Sequence, residues 1–221
     1  AMAQKPAATV QLLAVDPAGR HVDEVAEALW PDAGPGVGRR RLRNVLTRIR
    51  DVEPSLVTRT GDVLSLSPHV VVDARRFETD AHAALTATDP QTRADLLRAA
   101  LAAYRHPLLP GARYDPWATA PRERLRMLAL DLVEQAVDQL EASGSERAVV
   151  ELCLLAEELE PLDERWPLRA ARAELAAGHT GAAGRAVDRA RAVFADLDIP
   201  ASADLLALEA EITRRGPPGE G

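Results

Sequence analysis

The stretch Arg39, Arg40, Arg41, Leu42, Arg43, Asn44, Val45, Leu46, Thr47, Arg48, Ile49, Arg50 decides how this chain reads. Leu42, Val45, Leu46 and Ile49 recur at i, i+3, i+4 and i+7, which predicts a helix over 39–51 with one apolar face. At about 100° per residue, Arg40, Asn44, Thr47 and Arg48 fall on the opposite face, flanked by Arg41 and Arg43. Pro54 closes the helix. An apolar face for docking and an Arg, Asn and Thr face toward solvent suit the major groove of DNA, which admits one α-helix. Arginine binds phosphates or guanine edges bidentately, and asparagine matches adenine.

Upstream, Thr9–Val15 reads as a helix that stops at the breaker run Asp16, Pro17, Ala18, Gly19. Val22–Trp30 is a second helix, with Val22, Val25, Ala26 and Leu29 on one face. A loop containing Gly34, Pro35, Gly36 and Gly38 follows. Downstream, Leu56–Arg59 and Val63–Leu66 are β-type runs around Thr60, Gly61 and Asp62, predicting a hairpin in which glycine supplies the positive φ. In such a wing Arg59 is placed to touch a phosphate, while Asp62 puts an acid at the tip. The predicted DNA-binding residues are therefore Arg39, Arg40, Arg43, Asn44, Thr47, Arg48 and Arg59. Two Arg-x-x-Asp runs, Arg48 with Asp51 and Arg59 with Asp62, define an alternative nucleotide-ligand site of the kind a cyclic dinucleotide would occupy.

Beyond Val72 the periodicity is helical throughout, with helices expected at 74–87, 90–104, 118–143, 146–159, 163–177, 180–196 and 202–214. The longest carries Leu125, Leu128, Ala129, Leu132, Ala136, Val137 and Leu140 on one face. The proline-rich stretch 105–117 is expected to be an ordered loop anchored by Tyr114 and Trp117. Ser145–Gly178 and His179–Ile212 are each 34 residues of helix-turn-helix, the period of TPR repeats. Ala148 then aligns with Ala182, and Ala156 with Ala190, small residues where paired helices approach.

The 221-residue chain has 47% hydrophobic and 28% charged residues, a globular rather than disordered composition, and it is long enough for one large domain or two small ones. Its net charge of −7 is unevenly spread. Residues 1–68 hold nine basic against eight acidic residues (+1), and the remainder 18 against 26 (−8). Six of the nine N-terminal cations lie in 39–50, where no acid occurs. A local basic stripe on an acidic chain points to one anion-facing element. The single cysteine, Cys153, sits in an apolar run and reads as a buried thiol. No membrane span and no signal peptide are expected, and the chain reads as cytoplasmic.

Enzyme readings find no support. Gly34–Gly38 runs into arginines without the Gly-Lys-Ser/Thr of a P-loop, and it follows no strand as a dinucleotide fingerprint would. The histidines, at 21, 69, 82, 106 and 179, lack ligand spacing, so no metal, cofactor or catalytic residue is predicted.

The run from Val22 to Asp32 followed by Arg39–Arg50 resembles the winged-helix core of the antibiotic-regulatory-protein (SARP) family of bacterial regulators. Further on, Val72–Phe77, Tyr104–Gly111, Tyr114–Trp117 and Arg122–Leu125 resemble the bacterial transcriptional activator domain, which follows the winged helix in that family. The resemblance implies a mostly α fold: a truncated winged helix of three helices and a β-hairpin at 9–68, lacking the family's N-terminal sheet, then an all-α TPR-like domain at 72–214 and a disordered tail at 215–221. It implies a transcriptional regulator that binds duplex DNA through the major groove. The helical domain is then expected to contact transcription machinery or to self-associate; the alternative is a protein-interaction module, or a cyclic-dinucleotide sensor, with a degenerate winged helix.

Overall fold

The computed structural model describes residues 4–34, 36–104 and 106–215. Pro35, Arg105 of the loop motif, and the expected tail beyond Arg215 lie outside the described residues. The chain divides into two compact units, residues 1–83 with 102–128 and residues 84–101 with 129–221.

The first unit opens with α1 (Gln4–Ala14), β1 (Arg20–His21), α2 (Val22–Leu29), α3 (Val37–Val52), β2 (Val57–Thr60) and β3 (Val63–Leu66). The helix expected from Thr9 starts five residues earlier, because Pro6 falls in the first turn, where its missing N–H costs nothing. Gly61 takes φ 62° in the two-residue turn between β2 and β3, as expected of a hairpin. The sheet has a third strand that periodicity did not reveal. β1 pairs antiparallel with β3 through Arg20↔Leu64 and His21↔Val63, giving the order β1-β3-β2. Two residues show no alternation, so such a strand leaves no pattern to read.

His21 links this strand to α2. Its Nδ1 accepts from the Asp23 amide at 3.3 Å, while the Glu24 carboxylate accepts from the His21 amide at 3.2 Å. This reciprocal capping satisfies two amides that a helix start otherwise leaves free.

The core of this unit gathers Leu12 and Leu13 of α1, Val25 and Leu29 of α2, Leu42 of α3, and Leu64 and Leu66 of β3. Ala112, Trp117 and Ala118 complete it. α4 (Asp73–Thr86) joins through Arg75, whose guanidinium donates to the carbonyls of Ala14 at 2.9 Å, Leu13 at 2.8 Å and Asp16 at 3.2 Å. The Leu13 and Ala14 carbonyls are among those a helix end leaves without an intrahelical donor, while Asp16 O, beyond α1, also accepts from the Gly19 amide at 3.2 Å.

Loop 105–117 contains a 3-10 turn at Pro110–Ala112. Trp117 is buried there as expected, but Tyr114 is 91% exposed and anchors nothing. Arg122 takes that role, donating to Leu108 O at 3.0 Å, Leu109 O at 3.4 Å, Ala112 O at 3.1 Å and Arg113 O at 3.4 Å. The loop's own amides pair two of these carbonyls, Ala112 N with Leu109 O at 2.9 Å and Asp115 N with Ala112 O at 3.1 Å, and the guanidinium ties them to Leu108 O and Arg113 O. Phe77 and Tyr104 pack ring to ring at 5.1 Å.

The second unit comprises most of α5 (Pro90–Ala103), the latter half of α6 (Pro116–Ser143), and α7 (Glu146–Leu159), α8 (Arg165–Ala176), α9 (Thr180–Ala195) and α10 (Ala203–Arg215). All seven helices expected beyond Val72 are present, with ends within two residues of expectation. The 34-residue period is visible in the backbone. Gly144 at φ 69° and Gly178 at φ 82° each sit two residues before the helix that opens a repeat, in a conformation costly for any side chain.

Small residues fill the helix contacts: Ala156 and Ala190 are buried at equivalent positions, with Ala170, Ala171, Ala183 and Ala186 around them. Ala148 and Ala182 are only half-buried. Trp166 is the largest fully buried side chain of this core. Cys153 is fully buried, and burial pushes its thiol up to about 12. Among the described residues no helix is long and apolar enough to cross a membrane.

Candidate nucleic-acid interface

On α3 the apolar stripe docks as periodicity requires. Leu42, Val45 and Ile49 are buried, and Arg39, Arg40, Arg43, Asn44, Thr47 and Arg48 are exposed. Leu46 departs from the expectation of full burial. It is half-buried because it lines a groove of about 160 Å³ that separates α3 from β2.

That groove organises the cations. Arg39, Arg43 and Arg50 border it from α3, and Arg59 borders it from β2. Arg39, Arg43 and Arg50 lie within about 40° of one another around the helix, taking 100° per residue. Arg40, Asn44 and Arg48 lie on the neighbouring stripe and do not line the groove. Arg50 is the cation that sequence reasoning missed. Its signal in the sequence is its place seven residues after Arg43, on the flank of the helix that turns toward the wing and not on the face opposite the apolar stripe. Thr47 also borders the groove, and its hydroxyl donates to Arg43 O at 3.1 Å within the helix.

Two of these arginines are held. Arg39 donates from Nε and Nη2 to the two oxygens of the Asp23 carboxylate on α2. This hydrogen bond holds the Asp23 carboxyl below the usual carboxylate range and raises Arg39. Arg59 donates from Nε to Gly61 O at 2.7 Å and from Nη2 to Asp62 Oδ1 at 2.6 Å. The acid at the wing tip is thus met by the wing's own arginine and does not face phosphate as a bare charge. His21 stands beside both carboxylates, with Nδ1 3.5 Å from Asp23 and Nε2 4.0 Å from Asp62. By contrast, the side chains of Arg40, Arg43, Arg48 and Arg50 form no hydrogen bond or ion pair among the described residues.

The alternative ligand set is only partly assembled. Arg59 and Asp62 meet, but the groove takes in Arg59 without Arg48, Asp51 or Asp62.

The charge around these elements is uneven on a larger scale. The unit that holds α3 has 16 basic and 13 acidic residues, +3, whereas the other has 11 basic and 21 acidic, −10.

A family model described as "Bacterial transcriptional activator domain" matches residues 72–213. No curated protein matches the chain. Among solved structures, Mycobacterium tuberculosis EmbR, determined in complex with a low-affinity phosphopeptide, is similar with a TM-score of 0.69 at 22% identity. The match covers 97% of this chain and 60% of EmbR, so the chain spans about three fifths of that protein's length. The likeness is one of fold, a winged helix followed by a mostly α domain.

Proposed function

Because this chain belongs to the bacterial transcriptional activator domain family, a family of transcriptional regulators, we propose that it binds duplex DNA with α3 in the major groove and the β2–β3 wing beside the backbone. Residues 9–68 are the DNA-contacting part in this reading, and 72–214 contact transcription machinery or a second copy. It is a cytoplasmic regulator with no reaction of its own.

The observation that carries the reading is the groove bordered by Arg39, Arg43, Arg50 and Arg59. Four arginines from two elements of different origin converge there, together with the acid Glu53. An ordinary solvated helix face needs no such partner from a hairpin. Arg40, Asn44 and Arg48 extend the surface along α3. Placing an α-helix in the major groove with an arginine-bearing hairpin alongside matches the way phosphate contacts fix register while base edges supply sequence.

The strongly acidic second unit contributes nothing to phosphate attraction. Its role in this reading is protein contact, as expected of stacked helical repeats. The phosphopeptide complex is a property of EmbR, a longer protein.

The test is fluorescence anisotropy with a labelled mixed-sequence duplex, read from about 50 to 200 mM salt. Binding should be measurable at the low end and weaken steeply, by a factor on the order of 10³ if six phosphates are met. Absence of binding at the lowest salt would refute the reading for this chain.

A further inference from the structure

We propose that Arg39 reads a guanine base, and that Asp23 is the positioning residue that aims it; the proposal rests on the DNA reading above. The neighbouring unheld arginines would then serve phosphates.

Arg39 gives Nε–H and one Nη2–H to the two oxygens of Asp23. A guanidinium has five N–H donors in one plane. Occupying the Nε–Nη2 edge leaves the Nη1–Nη2 edge with its two parallel donors free. That free edge matches O6 and N7 of guanine, the two acceptors it presents in the major groove. Adenine offers a donor where guanine offers O6, so it is rejected at the same place.

Position supports the same assignment. α3 begins at Val37, so Arg39 lies in its first turn. In helices that read the major groove, the N-terminal residues are the ones that reach base edges. About half of each side chain of the Arg39–Asp23 pair is exposed, so the free edge is open to solvent.

Asp23 is itself fixed. It stands in the first turn of α2, and its amide donates to the capping Nδ1 of His21. A carboxylate anchored to one helix therefore sets the rotamer of an arginine on another. The ordering cost of the long side chain is met before DNA arrives, which favours directional recognition over loose charge contact.

Arg40, Arg43, Arg48 and Arg50 are exposed and unheld, and a cation whose direction is not set in advance suits phosphates, which are met from many approach angles. Arg39 with Asp23 carries no net charge, so the pair is poorly suited to phosphate neutralisation.

The experiment selects duplexes from a random pool with the intact chain, comparing wild type, Arg39→Ala with Asp23→Ala, Asp23→Asn and Arg43→Ala. Wild type should enrich a G·C pair at one fixed position, preferred on the order of 10- to 100-fold over other pairs there. The double variant should lose that preference. Its salt dependence on unselected duplex should stay near wild type, because a neutral pair was removed. Asp23→Asn should weaken the preference without abolishing it. Arg43→Ala should keep the selected sequence while lowering the salt slope by about one.

A double variant that folds, as judged by its melting curve, yet enriches the same bases as wild type would overturn the assignment and leave DNA binding intact. A double variant that keeps its preference but loses about one unit of salt slope would make Arg39 a phosphate contact. If wild type enriches no duplex at any salt, the DNA reading fails and this proposal fails with it.

Discussion

The two units solve the same problem, burying the faces of short helices, by different means. The first packs large aliphatic side chains from three helices and a sheet around Leu12, Leu13, Leu42 and Leu64. The second brings helices close through alanines, with Trp166 and Phe194 as its large members. Their charges diverge as well, +3 against −10. The net charge of the whole chain therefore hides the difference between its units. Attraction for a polyanion is set by the local field of the element that meets it, and α3 carries six arginines against one acid, Asp51.

The comparison breaks most visibly at the cores. Trp166→Ala should destabilise the protein by about 3 to 5 kcal/mol, through lost burial and the cavity left behind. Chemical denaturation followed by circular dichroism measures this. DNA affinity of the remaining folded protein should be unchanged if the basic surface is independent of that core. A large loss of affinity in fully folded protein would show the division of labour to be wrong.

Within α3 the same logic separates neighbours. Leu42 is buried, so Leu42→Ala should cost about 2 to 5 kcal/mol, whereas Leu46→Ala removes a half-buried side chain facing the groove and should cost less. Equal losses in the two melting curves would mean that the groove beside Leu46 is closed in solution.

A smaller effect is expected at the proline-rich loop. Arg122→Met leaves the Leu108 carbonyl without its donor and takes the second donor from Leu109 O and Ala112 O, which keep the Ala112 and Asp115 amides, and should cost about 1 to 3 kcal/mol. A neutral outcome in thermal unfolding would assign the loop's order to Trp117 alone.

The smallest effect concerns Cys153. Its thiol stays protonated in the folded protein to about 12, against an ordinary value of 9.0. Between those values the unfolded chain releases a proton that the folded chain retains. Stability from this group is thus complete below pH 9 and falls as pH rises. Cys153→Ala should flatten that decline, and a disulfide exchange reagent at pH 8 should label wild type only as fast as it opens. Rapid labelling of native protein would place the thiol at the surface.

These elements also show what the sequence makes legible. The helices beyond Val72 were readable to within two residues because a 3.6-residue period, repeated over a dozen or more positions, leaves little choice. The docking face of α3 was legible for the same reason at Leu42, Val45 and Ile49. β1 was not, since two residues carry no period.

Tyr114 misled because an aromatic among prolines resembles an anchor, while the group that orders the loop, Arg122, reaches it from a helix. The Arg39–Asp23 pair joins positions 16 apart on two helices, and only their packing brings those side chains together. Arg50 was concealed by the choice of face: the wing, folded alongside α3, decides which flank of the helix becomes a groove.

The central claim is that the unheld arginines of α3 meet phosphate, and it rests most directly on one salt titration. Wild type and Arg40→Ala with Arg43→Ala are titrated against the same duplex, with melting curves to show that both remain folded. The account predicts that log affinity falls linearly with log salt for both proteins, with a slope shallower by about two in the double variant. Identical slopes and affinities would contradict it and place the DNA surface elsewhere.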